Sequence, residues 1–298
     1  MRFVEVGGVR VSAIGLGTWQ FGSTEWGYGR DFARGTAQAI TQRALDLGIN
    51  LIDTAEIYGL GRSEKIVGEA IRGRRDEVFL ATKIFPVGLP VTTGWRARRS
   101  LRRLGVDHID LYQQHWPNRF FSPRATMPRM RKLVEQGLVR HVGVSNHNLA
   151  LWQECERVFG GPVLSNQVRF SLVHREPEQD LLPWAQASGR IVIAYSPLGQ
   201  GLLSGKYQEA APANFRRLRA DFQPEGRARW APLIAALRET AAKHSATPSQ
   251  VSLAWLIHQP NVVAIPGASS LRQLEENAAA GDLVLSADEV ARLDTLSR

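Results

Sequence analysis

Two hydrophobic periods alternate along this chain. Near its start, Phe3-Val4-Glu5-Val6 and Val9-Arg10-Val11 flank the pair Gly7-Gly8, the pattern of two short strands joined by a two-residue turn. Eight short apolar or β-branched runs then read as strands, at residues 13–18, 50–54, 78–84, 109–115, 139–145, 163–168, 191–195 and 262–266. Between them the apolar residues fall at helical spacing, as in Ala37-Ile40-Ala44-Leu45-Leu47, Leu149-Trp152-Cys155-Phe159 and Leu181-Leu182-Trp184-Ala185. Two helix starts carry their own signal. Thr247-Pro248-Ser249-Gln250 and Ser286-Ala287-Asp288-Glu289 each place a hydroxyl where it caps a backbone N–H and a longer polar residue that reaches back, and the first adds proline at the opening helical position.

Eight β-α alternations over this length predict a closed parallel barrel, because parallel strands need helical crossovers and eight strands close around a filled interior. The rival is an open doubly wound sheet, which predicts a G-x-G-x-x-G turn after its first strand. Gly15-Leu16-Gly17-Thr18-Trp19-Gln20 lacks the third glycine, as does Gly59-Leu60-Gly61-Arg62-Ser63-Glu64, and there is no G-x-x-x-x-G-K-[ST]. No linker divides the chain, so residues 1–298 are expected to form one domain. The least regular stretch, residues 208–226, reads as a long loop after the seventh barrel strand.

Composition narrows the class. Hydrophobic residues at 44% and charged residues at 22% are ordinary globular usage, which excludes a disordered or fibrous chain. The single cysteine, Cys155, makes no internal disulfide and no cysteine-rich metal site, and no metal is expected. The first residues lack the apolar run that export needs, and the uncharged stretch 191–205 is broken by Pro197 and by Gly199, Gly201 and Gly205. A cytoplasmic protein without a membrane partner is therefore expected. The net charge of +9 raises nucleic acid as a partner, but only five of the 37 cationic residues are lysine and the arginines are scattered through every helical stretch. The group Arg96, Arg98, Arg99, Arg102 and Arg103 reads as the solvated face of a helix, and no nucleic-acid partner is expected.

In a parallel barrel chemistry sits at the carboxyl ends of the strands. There the polar residues form a pattern: Asp53 with Tyr58 on the following loop, Lys83 late in an apolar run, His115 followed by Trp116-Pro117, then Ser145-Asn146, Asn166-Gln167 and Tyr195-Ser196-Pro197. Each alone has an ordinary structural use: Asp53 as a turn cap, Lys83 in an ion pair, His115 in the core. Together they suggest more. A lysine inside a strand needs a counter-charge, and Asp53 one strand away supplies it. For Tyr58 to release a proton near neutrality, its pKa of about 10 must fall by roughly 3 units, or about 4 kcal/mol. A cation about 4 Å away at an effective dielectric of about 20 is worth about 4 kcal/mol, so Lys83 is of the right size to lower it.

These residues carry a resemblance. Gly15-Leu16-Gly17-Thr18, Asp53-Thr54-Ala55 with Tyr58-Gly59, Ala81-Thr82-Lys83, Asp110-Leu111-Tyr112-Gln113-Gln114-His115, Gly143-Val144-Ser145-Asn146, Tyr195-Ser196-Pro197-Leu198 and Ile265-Pro266-Gly267-Ala268 resemble the aldo-keto reductase superfamily, in order and over nearly the whole chain. The resemblance implies a (β/α)8 barrel with an N-terminal hairpin across its base, and NADP(H)-dependent reduction of an aldehyde or ketone without a Rossmann unit. It implies Tyr58 as general acid, Lys83 as the residue that lowers its pKa, Asp53 as the partner of Lys83, and His115 as a donor orienting the carbonyl.

The same resemblance implies that Ser145, Asn146 and Gln167 bind the nicotinamide carboxamide and that Tyr195 stacks on the ring. The glycine-rich segment from Ser196, Pro197 and Leu198 through Gly201 and Leu203 to Lys206 suits a pyrophosphate, with an ordinary flexible surface loop as the alternative. Gly267, Ser269, Arg272 and Gln273 open a helix where an adenosine 2′-phosphate would sit, followed by Glu276 and Asn277 near the adenine. One common branch of the superfamily has lysine and arginine at the positions of Gly267 and Gln273, so NAD(H) stays open beside NADP(H). Trp19, Phe21, Trp26, Tyr28, Phe85, Trp116 and Phe120 fall in loops that would rim an apolar substrate pocket, Trp19 and Trp116 directly after strand ends. The group Arg216-Arg217-Leu218-Arg219 could meet an anionic substrate or bind nothing, and the second is the expectation. A nicotinamide-sensing regulatory protein with little turnover is the alternative, and the oligomeric state and the physiological substrate are open.

Overall fold

The computed structural model describes residues 1–24, 27–29, 32–212 and 214–298, and Trp26 lies outside them. Strands β1 (Phe3–Val6) and β2 (Val9–Ser12) pair antiparallel with Val6 opposite Val9, and Gly7 and Gly8 both take positive φ, as a two-residue hairpin turn requires. Eight parallel strands follow: β3 (Leu16–Gly17), β4 (Leu51–Asp53), β5 (Phe79–Ile84), β6 (Ile109–Gln114), β7 (Val139–Ser145), β8 (Ser165–Arg169), β9 (Ile191–Tyr195) and β10 (Val262–Ala264). All eight expected strands form, and each pairs with its successor. Bridges Ile14–Ala264 and Gly17–Gly267 join the first to the last, with Gly15 N donating to Ala264 O at 2.8 Å and Gly17 N to Pro266 O at 3.1 Å. The sheet thus closes as a (β/α)8 barrel. A Cβ on Gly17 would stand 2.7 Å from Ile265 O, so a bare backbone is needed for the two edges to meet.

Helices α1 (Arg34–Asp46), α2 (Arg62–Ala70), α3 (Thr93–Leu104), α4 (Pro123–Glu135), α5 (Leu149–Phe159) and α6 (Leu181–Ser188) each cross between successive strands. Two helices, α7 (Pro224–Lys243) and α8 (Pro248–Leu256), separate β9 from β10, and α9 (Leu271–Ala279) and α10 (Ala287–Leu296) close the chain. Both expected capping boxes form, at Thr247 before α8 and Ser286 before α10. No described helix is long and apolar enough to cross a membrane.

Period-two alternation sorts the strand residues into two cores. Leu51, Leu111, Leu164, Ile191 and Val263 point into the barrel, where Val6, Val9 and Val11 of the hairpin meet them from below. Ile52, Leu80, Tyr112 and Val142 point outward against Ile40, Val67, Met130 and Trp152 of the helices. Each fully buried aliphatic side chain is worth about 1.5–3 kcal/mol, so these layers hold the barrel together and leave its upper rim free for polar groups.

Two expectations need correction. The stretch 208–226 is not loop throughout: short 3-10 turns occupy Phe215–Leu218 and Ala220–Phe222, and α7 opens at Pro224, whose missing N–H costs nothing in a first turn. The arginines of α3 do not share one solvated face. Arg98, Arg99 and Arg102 are exposed, but Arg96 pairs with Glu56, and Arg103 Nε reaches the fully buried Glu64 at 2.5 Å. Glu64 also accepts from Thr82 Oγ1 at 2.8 Å; burial pushes its carboxyl up while Arg103 and the hydrogen bonds pull it back.

Candidate active site

The chemistry-bearing residues converge above the apolar interior. Asp53 ends β4 and Lys83 lies near the end of β5, both with inward-facing, buried side chains. The Lys83 ammonium donates to the Asp53 carboxylate, to Thr54 O at 3.0 Å and to the Tyr58 hydroxyl at 3.2 Å. Tyr58 is held there by an unusual turn: Gly59, Leu60 and Gly61 take φ of 53°, 57° and 87°, three left-handed residues in succession. A side chain on Gly59 would also run into Gly22 O at 2.7 Å. The His115 ring lies edge-on to Tyr58 with centroids 5.7 Å apart, and Phe85 packs edge-on to it at 5.8 Å.

Burial sets the electrostatics. It disfavours the Lys83 ammonium, but Asp53 and then Tyr58 outweigh it and the pKa ends above its ordinary value, so the cation persists. Burial acts first on Tyr58 as well and raises its pKa, Lys83 pulls it down, and Asp53 pushes it up; the phenol finishes above its ordinary value. Lys83 thus acts in the expected direction, but desolvation is larger. His115 is depressed to about 3 by burial and by the Lys83 charge, so the ring is neutral at physiological pH. Its Nδ1 is buried without a partner, which leaves Nε2 as the ring nitrogen able to donate toward the cleft.

Two carboxamides complete the cluster. Asp53 Oδ2 accepts from Gln167 Nε2 at 2.9 Å and from Gln113 Nε2 at 3.2 Å. The role of Gln113 was not legible beforehand, although its place was: it follows Leu111 by two in β6, a polar residue inside an apolar run.

A cleft of about 1860 Å³ opens over this cluster and runs to the start of α9. Asp53, Tyr58 and His115 face it, while Lys83 lies beneath them. At one side Ser145 Oγ donates to Gln167 O at 2.8 Å, and Asn146 Nδ2 donates to His115 O at 3.2 Å and Ser145 Oγ at 3.0 Å. Tyr195 donates its hydroxyl to Asn146 Oδ1 at 2.9 Å, which fixes its ring in the wall. Ser196, Pro197, Leu198, Gly201 and Lys206 continue that wall. Gly267, Ser269, Arg272 and Gln273 line the far end, where Gln273 Oε1 accepts from Ser269 N at 2.8 Å. Glu276 and Asn277 follow, held by Thr247 Oγ1 at 2.7 Å and by Gly267 O at 3.3 Å.

Some expected contacts lie elsewhere. Leu203 is fully buried in the outer core and does not line the cleft, because the turn 199–204 points it inward with Leu202. Phe21 is likewise a core residue, Tyr28 packs edge-on to Phe32, and Phe120 is exposed away from the cleft. Trp19 and Trp116 do face it, half exposed, with Trp19 at 6.4 Å from Tyr58 between ring centroids. Arg216 and Arg219 also line the cleft. Arg216 is anchored by Gln200 O at 2.7 Å and the Tyr207 hydroxyl at 3.1 Å. Gln20, Ile57, Leu60, Arg62 and Arg169 are lining residues that no local pattern marked.

The donor set fits a phosphorylated dinucleotide: carboxamides and hydroxyls at the Tyr58 end, cationic Lys206, Arg216 and Arg272 further out, and the N-terminus of α9. The description of the aldo/keto reductase family matches residues 13–298. The chain belongs to the aldo/keto reductase family. An uncharacterized oxidoreductase of Mycobacterium tuberculosis is 51% identical over 301 residues, covering 100% of this chain and 93% of that one. A methylglyoxal reductase of Escherichia coli is 37% identical over 290 residues, covering 97% and 92%. The solved structure of an aldo/keto reductase from Klebsiella pneumoniae in complex with NADP and acetate superposes with a TM-score of 0.82 at 36% identity, covering 99% of this chain and 94% of that one. Among aldo/keto reductases, then, this chain has NADP-bound structural neighbours across its full barrel.

Proposed function

We propose that residues 1–298 act as one barrel domain that reduces aldehydes or ketones to alcohols with NADP(H), Tyr58 supplying the proton. The observation that carries this reading is the contact of 3.2 Å between the Lys83 ammonium and the Tyr58 hydroxyl, with a neutral imidazole beside them. When bound, the cofactor supplies a hydride to the carbonyl carbon. Tyr58 holds its proton across the physiological range because burial keeps the phenol weakly acidic. As that proton leaves for the carbonyl oxygen, the phenolate left behind lies against the Lys83 ammonium, an attraction of about 5 kcal/mol at an effective dielectric of about 20. Asp53 keeps Lys83 charged, and His115 Nε2–H orients the oxygen.

Lys206 and Arg216 suit the pyrophosphate, and Arg272 with Ser269 suits the 2′-phosphate that distinguishes NADP(H) from NAD(H). Trp19, Ile57, Leu60 and Trp116 form an apolar wall near Tyr58, which favours carbonyl compounds with a hydrophobic portion. Tyr58→Phe tests the reading. Oxidation of NADPH by an aldehyde panel is expected to fall by about 10²–10⁴-fold in kcat, while NADPH still quenches tryptophan fluorescence. Undiminished turnover in the variant overturns the role of Tyr58, and equal efficiency with NADH overturns the cofactor preference.

A further inference from the structure

Asp53 is a buried carboxylate with more than one kind of partner. One oxygen takes the Lys83 ammonium, and the other accepts from Gln167 at 2.9 Å and Gln113 at 3.2 Å. A carboxylate only accepts, so both side chains must turn their N–H groups toward it. For Gln113 this has a visible consequence: its Oε1 is left buried with no partner. Leucine or methionine would fill the same space between β5 and β7 without an unpaired oxygen. What glutamine adds is the N–H on Asp53.

We infer that Gln113 is a positioning residue that controls how readily Tyr58 gives up its proton. The inference rests on the reduction proposed above. At the Tyr58 oxygen, Lys83 and Asp53 act in opposite directions. The carboxamide N–H groups draw down the charge on Asp53, so the ammonium prevails at the phenol while the carboxylate still secures it. Gln167 shares this work but also faces the cleft, where it is proposed to meet the cofactor; Gln113 does not face the cleft. It lies one strand over from Lys83, in direct register with it. Substitution at Gln113 therefore separates the effect on proton transfer from any effect on binding.

Gln113→Met keeps length and removes the donor. In this variant the alkaline limb of the kcat profile, which reports Tyr58, is expected to move up by about half a unit to one unit, with plateau kcat lower by about three- to tenfold. KM and NADPH affinity by fluorescence quenching stay at the parent values, because Gln113 touches neither ligand's cleft. A lowered melting temperature with the limb unmoved overturns the inference and makes Gln113 a packing residue. If the variant fails to fold, the parent protein answers instead: the Gln113 side-chain amide should appear downfield and protected from exchange in a ¹H–¹⁵N spectrum, and should move toward the free position in Lys83→Met only slightly, since Asp53 remains. An amide at the free-glutamine position in the parent overturns the inference. Retained turnover in Tyr58→Phe defeats the reduction itself, whereas lost turnover there with an unmoved limb in Gln113→Met defeats only this step.

Discussion

The barrel interior has two levels built from the same strands. At the lower level Leu51, Leu111, Leu164 and Val263 pack on the hairpin valines. Two residues further along, on the same face of the same strands, Leu51 gives way to Asp53, Ala81 to Lys83 and Leu111 to Gln113. Both levels are buried, yet one is held by hydrocarbon contact and the other by a single connected network of charge and hydrogen bonds. Apolar packing tolerates loss of one member in proportion to the volume removed, whereas the polar level fails when one partner is deleted, because the others stay buried without it.

The sharpest way to break this contrast is Lys83→Met. It strands the Asp53 carboxylate and is expected to lower stability by about 3–5 kcal/mol as well as abolish turnover, checked by denaturant unfolding and NADPH oxidation. Adding Asp53→Leu should return most of that stability and none of the activity. Next is Leu111→Ala at the lower level, expected to remove about 2–5 kcal/mol with kcat little changed. A kcat loss matching that of Lys83→Met would show the two levels to be one functional unit. His115 gives a smaller, pH-dependent effect. Burial sets its folded pKa at about 3 against an ordinary 6.5, so the unfolded chain binds the extra proton between those values. Its contribution is full above pH 6.5 and is lost as the pH falls toward 3, and His115→Gln should flatten the acid arm of a stability curve over that window. The smallest effect lies outside both levels: Ser286→Ala removes a helix cap and should cost about 1 kcal/mol without altering kinetics.

Much of this arrangement is legible in the sequence. The hairpin at Gly7-Gly8, the eight strands, both capping boxes and the gathering of Asp53, Tyr58, Lys83 and His115 at one end follow from local periods and from the rule that parallel barrels carry chemistry at their strand ends. The misses share a cause. Arg96 and Arg103 differ from Arg98 and Arg99 in having a carboxylate opposite, Glu56 and Glu64, and Leu203 differs from Leu198 in which way its turn points. Arg216 and Arg219 reach the cleft because the segment after β9 folds back over it.

The chain by itself determined which residues face inward and where each element begins, because a period of two or of 3.6 residues and a capping hydroxyl act within a few positions of sequence. Tertiary structure alone decided the charge states. The persistence of the Lys83 cation, the weak acidity of Tyr58 and the pairing of Gln113 with Asp53 depend on burial and on partners 25 to 60 residues away in the chain, and neither desolvation nor a Coulomb interaction leaves a periodic trace.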